Sequence, residues 1–515
     1  MSAPCTSRLL LAAPACLLLT VGCADETTGA GDSPSTAVSE AGPGATAGAS
    51  TAARTPADVG WFRDATAAAG LPTERPMTDA EPRAIVEVKG GGLALFDFEG
   101  DGDLDMYDPG QGSFEAPAAS ALHVNLSTEE GRLAFKPGTL MPGDYPAWPM
   151  GLAVGDLDGD GYQDLYQTAH GPNAALWSTS TNVVRALGPR NTPTGLEHDG
   201  FGMAAALGDL DNDGDLDVYL VNYLELDLDD LPPDIEFLGE PIFAGPMGLT
   251  PEADAVFENL GDGTFKDKTF RSGIGVAPPS YGLGVTMLDL DADGDLDVFV
   301  GIDSMRNFVY ENEGGFRFAE RGMELGLAAN GDGREQATMG ISATDLNDDG
   351  VADLVVVLRD VSGALIPTVA HVFAGPLEGT SGPSAAMARV EVSDSLFERV
   401  TASAAGDLNG DGFLDLVVSD EQRAAGRGRV SVLYGPLTGE RDLADAEVVV
   451  DGEHGACEFG LDEADHVGKT VLVGDGDGDG IDDLWMAMEP LNEPERGCTY
   501  RGHRSTVGVL RGGRG

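Results

Sequence analysis

The chain has 515 residues, with 30 basic side chains against 87 acidic ones, a formal net charge of −57. Such an excess of negative charge excludes attachment to nucleic acid or to anionic lipid through electrostatics. The length leaves room for a large folded array once the compositionally biased N-terminal segment is set aside.

At the N-terminus, Arg8 precedes an apolar stretch from Leu9 to Val21, too short to cross a bilayer as a mature helix. It ends in Leu19-Thr-Val-Gly-Cys23, which resembles a bacterial lipoprotein cleavage box with Thr20 where leucine is usual. Residues 1–23 are therefore expected to be a lipoprotein signal peptide with Cys23 as the lipidated residue. Ordinary cleavage after Ala24 is the alternative. Residues 24–57 are rich in Ala, Gly, Ser, Thr and Pro with almost no large apolar side chain, so they read as a disordered tether. The expected location is the bacterial outer membrane or cell surface, reached through the lipid anchor alone, or else the secreted or periplasmic space.

From Asp97 onward one acidic sentence recurs seven times, at intervals of 53 to 80 residues. It reads Asp-x-(Asp/Asn/Glu)-x-Asp-Gly-x-x-Asp, and the side chains at positions 1, 3, 5 and 9 are candidate metal ligands. In chain order these are Asp97, Glu99, Asp101 and Asp105; Asp156, Asp158, Asp160 and Asp164; Asp209, Asp211, Asp213 and Asp217; Asp289, Asp291, Asp293 and Asp297. Then follow Asp345, Asn347, Asp349 and Asp353; Asp407, Asn409, Asp411 and Asp415; Asp475, Asp477, Asp479 and Asp483. Gly at position 6 permits a turn that points the oxygens inward and offers the carbonyl at position 7. All-oxygen ligation favours Ca²⁺, up to seven ions, with Mg²⁺ the second choice. An EF-hand would need Glu at position 12, where this chain has Asp108, Gln167, Leu220, Val300, Val356, Val418 and Met486.

Residues 58–515 divide into seven units of about 65 residues, the size of a four-stranded blade with some long loops. The prediction is an all-β fold, a seven-bladed β-propeller with a calcium loop in each blade. Ahead of each loop, small residues (Gly92, Gly151, Ala204, Gly284, Gly340) alternate with larger apolar ones (Leu93, Leu152, Val285). Period two places them on opposite faces of a strand, the small ones suited to a crowded contact between neighbouring blades. Phe62-Arg-Asp, Phe265-Lys-Asp and Phe318-Ala-Glu each lead to a Gly eight residues on; Ala370-His-Val-Phe, Val430-Ser-Val-Leu and Val507-Gly-Val-Leu form a second set. The chain ends close to such a strand, as ring closure requires.

In an exported protein Cys457 and Cys498 are expected to form one disulfide across the final blade, two free thiols being the alternative. The longest insertion, Tyr223 to Glu252, mixes Ile235, Phe237, Ile242 and Phe243 with acidic residues. It reads either as a partner-binding surface or as a loop packed back on its own blade. The seven His residues have no metal-ligand spacing, and there is no nucleophile elbow, P-loop or Cys-x-x-Cys. Asp462, Glu463, Asp465 and His466 cluster in an insertion of the last blade, read as a solvated loop.

The loops at Gly155-Asp-Leu-Asp and Gly208-Asp-Leu-Asp, with Gly406-Asp-Leu-Asn-Gly-Asp-Gly, resemble the cation loop of the FG-GAP/VCBS repeat superfamily, the propellers typified by integrin α-subunits. Phe201-Gly202 and Phe459-Gly460 resemble its Phe-Gly element, with Tyr281-Gly282 or Met339-Gly340 in other blades. The segment Gly245-Pro-Met-Gly-Leu through Phe265 is similar to cartilage acidic protein-like exported bacterial proteins. The resemblance implies a non-enzymatic, calcium-binding adhesion or binding module for a protein or glycan ligand. A polysaccharide lyase or hydrolase with a site at the central channel is the alternative.

Overall fold

The computed structural model describes residues 9–13, 17–20, 58–59, 62–71, 84–88, 92–110, 112–113, 116–117, 119–140, 147–181, 184–189, 193–233, 235–237, 240–242, 246, 248–360, 368–377, 385–391, 400–420, 428–451, 454–456, 462–464, 467–488 and 506–511. The expected tether at 24–57, Cys23, Cys457, Cys498 and the Phe459-Gly460 element lie outside them, as do Asp465 and His466. The protein is all-β, as its sequence predicts. Helix among the described residues is confined to single turns such as Thr269–Ser272 and Gly322–Leu325. No helix among them is long and apolar enough to cross a membrane.

Every acidic loop joins the first two strands of a four-stranded antiparallel unit. The first unit runs Ala94–Phe96, Asp105–Asp108, Ala121–Asn125, Phe135–Pro137. The second runs Trp148–Gly155, Asp164–Pro172, Ala174–Thr181, Val184–Pro189, and the third Asp199–Gly208, Asp217–Asn222, Ala255–Asn259, Phe265–Asp267. Next come Gly282–Leu288, Asp297–Ile302, Phe308–Asn312, Phe318–Glu320, then Gln336–Thr344, Asp353–Asp360, Val369–Phe373, Ala388–Glu391. The sixth is Val400–Gly406, Asp415–Asp420, Arg429–Leu433, Val448–Asp451. In the last, Val467–Gly474, Asp483–Met488 and Thr506–Arg511 are completed by Phe62–Asp64 from the other end of the chain.

In the first two units the small residues before the loop have the role expected of them. A Cβ on Gly151 would meet Met203 O at 2.7 Å and Ala204 Cα at 3.2 Å, both on the first strand of the next unit. A Cβ on Gly92 would likewise meet Met150 O at 3.2 Å. Larger side chains of the same strands, such as Leu152 and Val285, are fully buried. Second strands such as Asp217–Asn222 and Asp297–Ile302 are buried along their whole length, because a neighbouring unit covers each face.

A side-chain latch, which the sequence did not announce, ties successive units together. Asn259, Asn312 and Asn125 each end a third strand. The amide of Asn259 donates to Leu216 O in its own unit (3.0 Å) and to Leu157 O in the preceding acidic loop (3.1 Å). Asn312 does the same with Leu296 O (3.1 Å) and Leu210 O (2.9 Å). For Asn125 the partners are Leu104 O (2.9 Å) and Gly476 O (2.6 Å), so the first unit is latched to the seventh loop. Phe135 and Trp485 meet edge to face across the same junction, with Leu95, Met106, Leu472 and Val509 around them. The two ends of the array are thus joined by strand pairing, by a hydrogen bond and by shared core.

The apolar run read as an export signal is placed, in Leu9–Ala13 and Leu17–Thr20, as a hairpin whose first strand pairs with Ile341 and Ser342 on the first strand of the fifth unit.

Replacing Asn312 by Ala would strand the buried Leu210 O and the part-buried Leu296 O. At roughly 1–3 kcal/mol for each unsatisfied group, the variant should unfold at clearly lower urea than the parent chain. An unchanged midpoint would refute the latch. A second prediction concerns pH. Asp254 is partly buried, accepting from Tyr219 Oη and from Asn222 N at 3.0 Å each, and desolvation pushes its carboxyl up to about 7. A raised folded value means that its stabilising contribution is intact below about pH 4 and is lost as pH rises to about 7. Asp254→Asn should therefore show a shallower fall in melting temperature over that window.

Candidate metal centres in the acidic loops

The seven loops share one backbone conformation. Position 6 is a left-handed Gly throughout, with φ of 94° at Gly102, 89° at Gly161, 99° at Gly214 and 95° at Gly294. The other three, Gly350, Gly412 and Gly480, lie at 87°, 93° and 84°. Position 4 is left-handed as well, although its residue type varies: Gly100, Gly159, Asn212, Ala292, Asp348, Gly410 and Gly478 span φ of 60° to 77°. Only position 6 was legible beforehand, since position 4 accepts Asn, Asp and even Ala.

Within this frame the carboxylate at position 1 receives the backbone N–H groups of positions 5 and 6. In the third loop Asp213 N donates to Asp209 Oδ1 at 3.0 Å and Gly214 N to Oδ2 at 2.9 Å; the other six loops repeat the pair. The carboxylate at position 9 begins the second strand and is at most 1% exposed in all seven copies. One of its oxygens accepts from the N–H of position 2, as in Leu210 N to Asp217 Oδ2 at 2.8 Å and Leu290 N to Asp297 Oδ2 at 2.8 Å. The other accepts from the third strand or the turn after it: Asn125, Ser178, Asn259, Asn312, Gly375 and Gly435 donate to Asp105, Asp164, Asp217, Asp297, Asp353 and Asp415 at 2.7–3.1 Å. Burial raises these carboxyls despite the hydrogen bonds, to about 8 at Asp105 and Asp164 and about 7 at Asp217, Asp297 and Asp415.

In four loops the carboxylates of positions 1, 3 and 9 converge to within 4.8 Å: Asp156, Asp158 and Asp164; Asp209, Asp211 and Asp217; Asp289, Asp291 and Asp297; Asp475, Asp477 and Asp483. Oδ1 of Asp211 is shielded from solvent and has no hydrogen-bond partner, while burial and then Asp213 and Asp209 hold its carboxyl above the usual range. Three acidic groups facing one another, one with an unclaimed oxygen, form an all-oxygen donor set that fits a hard divalent cation.

The other candidate ligands are placed differently. Position 5 does not join these clusters; its carboxylate accepts from the N–H of position 7, as in Asp215 N to Asp213 at 3.0 Å and Val351 N to Asp349 at 2.9 Å. In the fifth and sixth loops position 3 is Asn, and its amide donates to the position-9 carboxylate, Asn347 to Asp353 at 3.2 Å and Asn409 to Asp415 at 3.4 Å. In the first loop the longer Glu99 reaches Lys136, 3.7 Å away.

Sequence comparison places residues 242–300 and 289–356 in the FG-GAP-like repeat and residues 400–433 in the FG-GAP repeat. These segments contain the fourth, fifth and sixth acidic loops. Mouse (Mus musculus) cartilage acidic protein 1 is 22% identical over 280 residues, 51% of this chain, which spans 39% of that relative's length. Among solved structures, an Agrocybe aegerita lectin studied for recognition of non-reducing terminal N-acetylglucosamine aligns at 14% identity and a TM-score of 0.38, covering 76% of this chain and 92% of that one. The Dos1 propeller aligns at 10% identity and a TM-score of 0.37, covering 82% of this chain and 79% of that one.

Within the seven acidic loops, Ala292 is the one residue in the left-handed region that is neither Gly, Asn nor Asp, with φ of 62°. That conformation costs an L-residue about 1–2 kcal/mol, against the roughly 0.5–1 kcal/mol of extra chain entropy that Gly loses on folding. Ala292→Gly should therefore raise stability by about 0.5–1 kcal/mol in denaturant unfolding, whereas Gly294→Ala should lower it. The chain thus carries FG-GAP-like repeats across residues 242–356 and an FG-GAP repeat at residues 400–433.

Proposed function

We propose that this chain is a calcium-stabilised, seven-bladed β-propeller that serves as a surface-tethered binding or adhesion module for a protein or glycan. The observation that carries the reading is the convergence of three carboxylates in each of four loops, with a shielded, unclaimed Asp211 oxygen in the third. The closure of the last four-stranded unit by Phe62–Asp64 supports a ring of seven. Calcium would lie among positions 1, 3 and 9, screening the mutual repulsion of carboxylates that burial otherwise makes costly to ionise. On this geometry the second, third, fourth and seventh loops bind most tightly. The fifth and sixth have an amide at position 3, and the first has Glu99 turned towards Lys136. Export and anchoring through Cys23 belong to the same proposal, resting on the N-terminal sequence.

Metal-stripped protein should gain melting temperature as calcium rises into the millimolar range, because each occupied site contributes about 1.4 kcal/mol at ten times its Kd. Asp211→Asn should remove part of that gain, and Asn347→Ala should remove less. A flat response over the titration would overturn the metal assignment. For the binding role, capture from native cell envelopes with and without calcium should retrieve an intact protein or glycan. Cleavage of a retrieved glycan over time would instead support catalysis.

A further inference from the structure

The long insertion emerges after the second strand of the third unit, at the end of the sheet opposite the acidic loop. Its base folds back: Glu225 N donates to Thr250 O at 2.9 Å, Leu224 bridges Pro251, and Leu226, Leu228, Leu231 and Leu249 pack against the main core. Between this base and the ends of neighbouring strands lies a cleft of about 750 Å³. Its walls include the buried Phe201 and Leu224 together with Leu231 and Pro232. Asp199, Glu225, Asp227, Asp230 and Glu252 also line it, and among the described residues no Lys or Arg does. The whole insertion, residues 223–252, contains eight acidic residues and no basic one.

Two features separate this cleft from the metal loops. Its carboxylates do not converge as those of the loops do, since no three of them come within 4.8 Å of one another. They are spread over an apolar surface, an arrangement for an elongated cation and not for a bare ion. Second, Glu252 is fixed in place. Phe201 N donates to its Oε2 at 2.9 Å, and a Cβ on Gly200 would crowd it, with Glu252 Cδ 3.0 Å from that point. His170, whose Nε2 donates to Leu226 O at 3.0 Å, helps to hold the facing wall.

We propose that this cleft is the docking site for a polypeptide segment in which Lys or Arg alternates with aliphatic residues. The methylene stems and aliphatic side chains would lie on Phe201 and Leu231, and the cationic heads would reach Glu252, Asp227 and Asp230. A volume of this size holds two or three side chains, and charge complementarity with an insertion free of basic residues selects the sign of the partner. The proposal rests on the chain being a binding module and gives that module a face and a ligand chemistry.

The test is fluorescence anisotropy on the full chain in millimolar calcium, with labelled eight-residue probes alternating Lys with Leu, Lys with Ser, and Glu with Leu. The Lys-Leu probe should bind, more weakly as salt is raised, and the other two should bind at least about tenfold less tightly. The triple variant Asp227→Asn, Asp230→Asn, Glu252→Gln should lose about tenfold in affinity. A charge-matched control, Asp262→Asn, Glu313→Gln, Glu440→Gln, should bind as the parent does. Equal losses in the two variants, or equal binding of the Lys-Ser probe, would overturn the proposal by showing a general response to acidity. Calcium-induced melting shifts recorded on the same samples judge the metal reading separately, because none of the six substituted residues lies in an acidic loop.

Discussion

A carboxylate buried where the second strand begins is the interaction on which each unit depends. Asp217 shows why. One oxygen holds the N–H of Leu210 at the start of the loop, and the other holds the N–H of Asn259 at the end of the third strand. A single side chain thereby fixes the loop to two strands of its own sheet. The same aspartate faces Asp209 and Asp211, so the group that organises the backbone also creates an electrostatic problem that a divalent cation would resolve. The backbone role accounts for the recurrence of aspartate at this position in all seven copies, since the N–H of position 2 is held by it in every one.

Coupling between units is built from the same parts. Asn259 uses its backbone N–H to anchor Asp217 and its side chain to reach Leu157 O in the preceding loop. In the fifth unit a backbone group takes over, with Leu377 N donating to Leu290 O at 2.6 Å. Disturbing one loop would therefore be felt by the next unit through a carbonyl, in keeping with nearest-neighbour energetics in repeat arrays. The working surface would be spared such constraints. Its proposed location, on connections at the opposite end of the sheets, separates recognition from the residues that stabilise the array.

Much of this was legible in the chain because the loop sentence combines a backbone requirement with a chemical one. Gly at position 6 and Asp at positions 1 and 9 each have a single structural use, and all of them take it. The alternation of small and large residues before each loop also reads directly as strand faces. Position 5 is less transparent: aspartate there can serve a metal, an N–H two residues ahead, or both, and Asp213 accepts that N–H. The Asn latch is not legible in the sequence, since Asn125, Asn259 and Asn312 stand where a strand passes into a turn, a place where Asn commonly caps the backbone. Their Oδ1 atoms do cap it, as in Gly261 N to Asn259 Oδ1 at 3.1 Å, so the signal was the ordinary one while the amide end did something more. The cleft beside the insertion depends on contacts between distant segments, His170 with Leu226 and Phe201 with Glu252, which no local pattern encodes.

The central claim is that the acidic loops are calcium sites and that geometry ranks them. Native mass spectrometry of metal-stripped protein titrated with calcium tests it most directly, because it counts ions independently of any effect on stability. The account predicts several bound ions, the first four adding ahead of the rest. It also predicts that a chain with Asp209, Asp211 and Asp217 all changed to Asn binds one fewer. A spectrum without specific calcium adducts at millimolar calcium, or an unchanged count in that variant, would contradict it.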